Sequence, residues 1–269
     1  MEALKPSTRI RFALDELAAG VALKGAPATC KVTAATTGDT YELKQKDRKF
    51  VLTVTRAPEL LTVEWQVSGA AVQAEVDVVA SRYCTPDEVR SYRADEYQLG
   101  ETSDEDVLAA IAKAEEVIEH EARRFFQPVI RRVTVDRPRC TPRTMGITGD
   151  GTASDVRSVI RATGQDGKAV YVGRASDCMF DVSNLPASTF AEVITELGMS
   201  PTPIEVNTAV IALAAWYLSP SNRPDNATSE STDTGVLNFI IGGVNGAATS
   251  LPEVNALIKR YGLADYVVG

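Results

Sequence analysis

The chain has 269 residues, of which 44% are hydrophobic and 24% charged, and its formal net charge is −8. This balance is that of a soluble globular chain long enough for one large or two modest domains, and it excludes an intrinsically disordered polypeptide. The longest apolar run, Val210 to Leu218, falls short of the roughly 18 residues a membrane span needs, and a pI near 4.9 opposes non-specific duplex binding, which rests on Lys and Arg.

Residues 1–11 show no basic stretch leading into an apolar core and a small-residue cleavage site, so synthesis in the cytoplasm is expected. Residues 7 to 82 carry β patterning: Arg9-Ile10-Arg11-Phe12, Cys30-Lys31-Val32-Thr33-Ala34, Phe50 to Thr55, Leu61 to Val67 and Ala74 to Val79. Several of these alternate apolar with polar residues, as half-buried strands do, and turn residues such as Thr37-Gly38-Asp39 separate them. The pattern predicts an antiparallel, sandwich-like β domain over 1–84.

At Thr85-Pro86-Asp87-Glu88 the chemistry changes to that of a helix start, with an N-cap, a proline at the first helical position and early acids. Thr102 with Glu105 and Ser103 with Asp106 are competing capping pairs for a longer helix near 103–126. In it Val107, Ile111, Ala114, Ile118, Ala122 and Phe125 form one apolar stripe, and Glu115, Glu116, Glu119 and Arg123 are expected on a solvated face. Strands are expected over 128–182. A second helix near 203–218, starting at Thr202-Pro203-Ile204-Glu205, is apolar on most sides and so central to the second domain. Residues 220–250 are polar and Gly-rich without helical periodicity, and Ser250-Leu251-Pro252-Glu253 caps a last amphipathic helix through Val254, Leu257, Ile258 and Tyr261. The fold class expected is α+β: a β domain (1–84), then a helical domain (85–269) with inserted strands and an extended C-terminal arm over 220–269.

Charge is uneven along the chain. Residues 86–127 hold five Lys and Arg against twelve Asp and Glu, and seven arginines follow between Arg123 and Arg143. Ordinary solvation or intramolecular pairing accounts for such a pattern. It also suits contacts between neighbouring subunits, with Glu115 and Glu119 on one side and Arg123, Arg124, Arg131 and Arg132 on the other. Asn238 and Phe239, in the polar run, are further candidates for an inter-subunit or lumen-facing position.

Signs of catalysis are few. The single histidine, His120, stands in Glu119-His120-Glu121 on the predicted long helix, where a solvated surface residue is expected. Phosphate-cradling and nucleophile-elbow motifs are missing, since neither Gly149-Asp150-Gly151 nor Gly242 to Gly246 lies in a strand-loop-helix context. Cys30, Cys84, Cys140 and Cys178 have no metal-ligand spacing and read as buried small hydrophobes. No catalytic, cofactor-binding or metal-binding residue is assigned, and no cofactor is expected.

Three segments together resemble the head-to-tail connector, or adaptor, proteins of long-tailed bacteriophages. These are the long helix followed by Arg123-Arg124-Phe125-Phe126-Gln127-Pro128, the apolar helix ending Ala215-Trp216-Tyr217-Leu218, and Leu251-Pro252-Glu253-Val254-Asn255-Ala256-Leu257-Ile258-Lys259-Arg260-Tyr261. The last is the most specific, matching a Gly-rich stretch and a Leu-Pro-Glu-Val segment that closes on an Arg-Tyr pair. Thr62 to Val67, Glu75 to Val79 and Tyr83 are similar to a β domain that some actinobacterial-phage connectors carry in front of the helical part. The resemblance implies a non-enzymatic virion protein of the head-tail neck. It implies a ring of twelve subunits beneath the portal, with double-stranded DNA passing non-specifically through its lumen and a head-closure or tail-completion protein on its far side. Portal docking would fall to Leu251, Glu253, Val254, Leu257, Ile258 and Tyr261. Two other readings stay open: a stopper or tail terminator, and a carbohydrate-binding module with Tyr41, Trp65 and Tyr83 as its platform.

Overall fold

The structure, a computed structural model, describes residues 7–11, 19–21, 30–43, 45–46, 49–52, 57–67, 70–79, 81–137, 145–146, 155–176, 179–219, 229–232, 235–238 and 248–262. They form a mixed α and β fold with mainly antiparallel sheets, divided into two compact units that each draw on two stretches of chain. One unit is Met1–Arg82 with Gln127–Pro201, and the other is Tyr83–Phe126 with Thr202–Gly269. The expected division at residue 84 assigns the strands after Pro128 to the helical domain. Their contacts place them with the N-terminal strands instead.

The first unit contains strands β1 (Ser7–Arg11), β2 (Ala19–Val21), β3 (Cys30–Ala34), β4 (Thr40–Glu42), β5 (Gln45–Lys46), β6 (Lys49–Leu52), β7 (Glu59–Val67) and β8 (Ala70–Val79). After the other unit's first stretch come β9 (Val129–Asp136), β10 (Met145–Gly146), β11 (Val156–Gly164), β12 (Gly173–Ser176), β13 (Met179–Asp181) and β14 (Phe190–Leu197). The largest sheet has the order β1-β8-β7-β3-β4, and in it only β1 and β8 run parallel. A second sheet has the order β11-β14-β9, and smaller ones join β10-β13-β12 and β2-β6-β5.

Alternation decides which face of the large sheet is apolar. Cys30 and Val32 of β3, Leu61, Val63 and Trp65 of β7, and Ala74, Val76 and Val78 of β8 form one core cluster. Register aligns them, with Cys30 opposite Trp65, Val32 opposite Val63 and Leu61 opposite Val76. The opposite parity carries Leu60, which clusters with Ala35, Ile130 and Ile194 and so ties β9 and β14 to the N-terminal strands. On that parity Asp77, nearly fully buried, accepts both guanidinium nitrogens of Arg131 at 2.8 Å. Arg132 lies 3.5 Å from Glu75 and 3.6 Å from Glu192, and it donates to the hydroxyl of Thr62.

The second unit holds helices α1 (Pro86–Ser91), α2 (Ala94–Tyr97), α3 (Asp104–Ala122), α4 (Ile204–Leu218) and α5 (Pro252–Tyr261), with a hairpin of β15 (Ser229–Thr232) and β16 (Gly235–Asn238). That hairpin falls in the run expected to lack regular structure: two four-residue strands joined by residues 233–234 are too short to show a periodicity. α1 begins at the expected N-cap, Thr85, and adds an unexpected reciprocal box: Thr85 Oγ1 accepts from the Glu88 N–H and Glu88 Oε2 accepts from the Thr85 N–H. For α3 the competition is resolved for Ser103, whose hydroxyl accepts from the Asp106 N–H. α3 stops four residues earlier than predicted, at Arg123, which takes a left-handed conformation and turns the chain. Phe126 rather than Phe125 is therefore the fully buried aromatic. Thr202 does not cap α4, because its hydroxyl donates to the Phe126 carbonyl; Pro203 occupies the cap position.

Candidate functional site

The segment that carries the family resemblance folds as α5. Leu251 rather than the expected Ser250 stands at its cap position, and a clasp between Thr249 and Asn255 organises the start. The Thr249 N–H donates to Asn255 Oδ1 at 2.8 Å, Asn255 Nδ2 donates to the Thr249 carbonyl at 2.8 Å, and the Leu251 N–H donates to Thr249 Oγ1 at 3.2 Å. Pro252 opens the first turn, where a missing N–H costs nothing.

Val254, Leu257 and Ile258 are buried, and α5 packs against α3 and α4 of its own chain. Burial of each such side chain contributes about 1.5–3 kcal/mol. The stripe expected to wait for a portal is thus already covered within the subunit. Of the six docking candidates, Glu253 is exposed, and Leu251 and Tyr261 are half-buried. The C-terminal turn is anchored by Arg124, which donates to the Tyr261 carbonyl at 2.9 Å, and by Phe126, whose ring meets that of Tyr261 edge-on at 5.9 Å.

Between α4 and α5 lies an open groove of about 360 Å³, lined by Tyr92, Glu205, Thr208, Ala209, Ala212, Glu253, Ala256, Leu257, Arg260 and Tyr261. Three alanines line the trough, where their short side chains leave space between the two helices unfilled. One wall is aromatic: the rings of Tyr92 and Tyr97 stack at 6.1 Å, and the Arg93 guanidinium lies over Tyr92. Across the trough Glu205 accepts from Arg260 and from the Tyr261 hydroxyl, both at 3.2 Å. Its carboxyl is held below the usual range, chiefly by a hydrogen bond from its own N–H in the first turn of α4, then by Tyr261 and Arg260. Tyr97 is pushed up, first by burial and then by the charge of Glu96. Glu253 stands exposed on the rim.

The acid and base candidates divide between the two units. Glu115 and Glu119 are buried, contrary to the solvated face assigned to them: Glu115 Oε1 accepts from the Tyr83 N–H at 3.1 Å and Glu119 Oε1 from the Tyr83 hydroxyl at 2.7 Å. Arg131 and Arg132 are engaged with Asp77, Glu75 and Glu192 in the other unit, and Arg124 holds the end of α5. Arg123 is exposed at the α3 terminus. Asn238 closes β16 and Phe239 lies outside the described residues. The carbohydrate platform is not assembled, because Trp65 is part of the large-sheet core and Tyr83 is buried with Glu119. His120 is exposed beside Glu121, and among the described residues no group of three or more His, Cys, Asp or Glu could hold a metal ion. Also among them, no helix is long and apolar enough to cross a membrane.

No protein-family model matches the chain, and no curated protein matches it. Among solved structures it is similar to a chain in the neck of an empty gene transfer agent particle computed with C6 symmetry, at 16% identity and a TM-score of 0.45. It is similar also to a chain in the virion of a native gene transfer agent particle, at 18% identity and a TM-score of 0.45. Each match covers 70% of this chain and 93% of the other. At such identities and scores the likeness carries no argument about what this chain binds.

Proposed function

We propose that the chain is a non-enzymatic structural protein of a phage-type virion neck, a head-to-tail adaptor that forms a ring beneath a portal and lets DNA pass. The observation that carries this reading is α5. The stretch that most specifically resembles the adaptors, Leu251 to Tyr261, is a helix with its apolar edge fixed against α3 and α4 and its polar edge, Glu253 and Arg260, bordering an open groove. A helix held in this way presents a rigid edge, so docking there does not have to order the helix itself. The portal-facing set is accordingly Glu253 and Tyr261 with the groove, while Val254, Leu257 and Ile258 hold α5 in place.

The test uses the full chain with purified portal rings. Glu253→Lys combined with Arg260→Glu should leave the thermal unfolding of the chain nearly unchanged and abolish its co-sedimentation with portal. Undiminished co-sedimentation of the folded double variant would remove α5 as the docking element. Electron microscopy of the wild-type mixture then reports whether the chain sits directly on the portal, as an adaptor does, or only on another neck protein, as a stopper does.

A further inference from the structure

The groove and an exposed tryptophan lie along one face of the same helix. On α4 the groove is lined by Glu205, Thr208, Ala209 and Ala212, and Trp216 follows Ala212 by four residues, the spacing that keeps side chains on one face. Trp216 is 38% exposed, and its neighbour Tyr217 carries the ammonium of Lys113 at 4.1 Å from its ring centroid. The C-terminal end of α4 therefore offers an indole and, beside Tyr217 about 100° round the helix, a cation. The other end offers an alanine trough bordered by the carboxylates of Glu205 and Glu253.

We propose that the occupant of the groove is Trp216 of a second copy of this chain, in an isologous pair with antiparallel α4 helices. A two-fold axis near Ala212 sets Trp216 opposite Thr208 of the other copy, inside the groove, and repeats the contact in reverse. Ala212 itself is buried, so the contact is carried by the exposed Thr208 and Trp216 on either side of it. The same operation carries Lys113, at the C-terminal end of α4, towards the partner's Glu205 at the N-terminal end, so apolar and charged groups are complementary in one arrangement. An indole suits the site because it buries a large area with few rotatable bonds, and the aromatic wall of Tyr92 gives it a ring to pack on. The pair does not rest on the neck reading. It occupies the groove bordered by Glu253 and Tyr261, so a paired subunit cannot use that edge for another partner.

Sedimentation equilibrium of the full chain, in low and high salt, tests this. The wild type should form a dimer below about 100 μM, and Trp216→Ala should weaken it about tenfold or more, as loss of an aromatic anchor does. Thr208→Arg fills the opposite groove from an exposed position and should have the same effect. Lys113→Glu should weaken the dimer by less and remove most of its salt dependence. Circular dichroism melts identify any variant that fails to fold, and iodide quenching provides a readout on the wild type alone. The chain has two tryptophans, of which Trp65 is buried, so quenching of Trp216 should fall as protein concentration rises. A wild type monomeric throughout this range, a dimer indifferent to both Trp216→Ala and Thr208→Arg, or quenching independent of concentration would each overturn the pair. Portal co-sedimentation is a separate measurement, so either reading can fail while the other stands.

Discussion

The Tyr83 hydroxyl donates to Glu119 at 2.7 Å while the Tyr83 backbone N–H donates to Glu115, one helical turn away, so a single residue meets two buried carboxylates of α3. Removing the hydroxyl leaves a buried carboxylate oxygen short of a donor, and hydrogen bonds to charged groups contribute about 1.5–3 kcal/mol. Tyr83→Phe should therefore destabilise the helical unit by about that amount in urea unfolding. A change within error would show that Glu119 is satisfied without Tyr83.

Asp77 and Arg131 form a bidentate pair within the β unit, with the carboxylate buried. Deleting one partner of a buried pair typically costs about 3–5 kcal/mol because the other charge is stranded. Arg131→Met should be strongly destabilising. Asp77→Asn with Arg131→Met should recover part of the loss, and the coupling energy from a double-mutant cycle measures the pair.

Gly198 has φ +116°, and a Cβ there would overlap the carbonyl of Gln127. Ala at a position with φ of this sign costs more than about 1 kcal/mol in strain alone. Gly198→Ala should lower the melting temperature of the β unit markedly. The substitution Gly167→Ala is a fair control: φ is +76°, yet no atom lies within 4 Å of the point its Cβ would occupy, so it should cost less.

Glu205 has a folded-state pKa below the ordinary carboxylate value. The stabilisation linked to it is therefore present above the unfolded-state pKa and is lost as pH falls through the lowered folded value. Carbon-detected NMR titration of the Glu205 carboxyl should give a midpoint below that of a free glutamate, moving upward in Tyr261→Phe. An unshifted midpoint would break the link between α4 and the end of α5.

Burial pushes the Cys30 thiol up to about 11, and Cys84 is also buried and free of any disulfide. The thiolate is the reactive form, so both should resist a disulfide reagent in the folded protein and react on unfolding. At most two of the four cysteines, Cys140 and Cys178, should then react rapidly; both lie outside the described residues.

Local chemistry is readable in the sequence where the partners are close in the chain. Thr85 caps α1 as expected, with Glu88 only three residues on, and the Val107-to-Ala122 stripe is buried as its spacing requires. Misreadings arise where the partner is distant. Glu115 and Glu119 border that stripe, and Tyr83, over thirty residues away, supplies donors that make their burial tolerable. The stripe of α5 is recognisable, but its amphipathicity is the same whether it faces a portal or α3 and α4. Nothing in Ile130 and Ile194 indicates that they pack with Ala35 and Leu60, so the sequence pattern puts the strands after Pro128 in the wrong unit. The groove has no sequence signature because three alanines on two helices, Ala209, Ala212 and Ala256, carry no signal until the helices are side by side.

Because each unit is assembled from two separated stretches, the order of synthesis matters. The β unit has all its strands once residue 201 has left the ribosome, whereas α3 is made some eighty residues before the α4 that covers it. During that interval Val107, Ile111 and Ile118 have no apolar partner from α4 or α5, and a nascent chain paused there would be the form most in need of a chaperone.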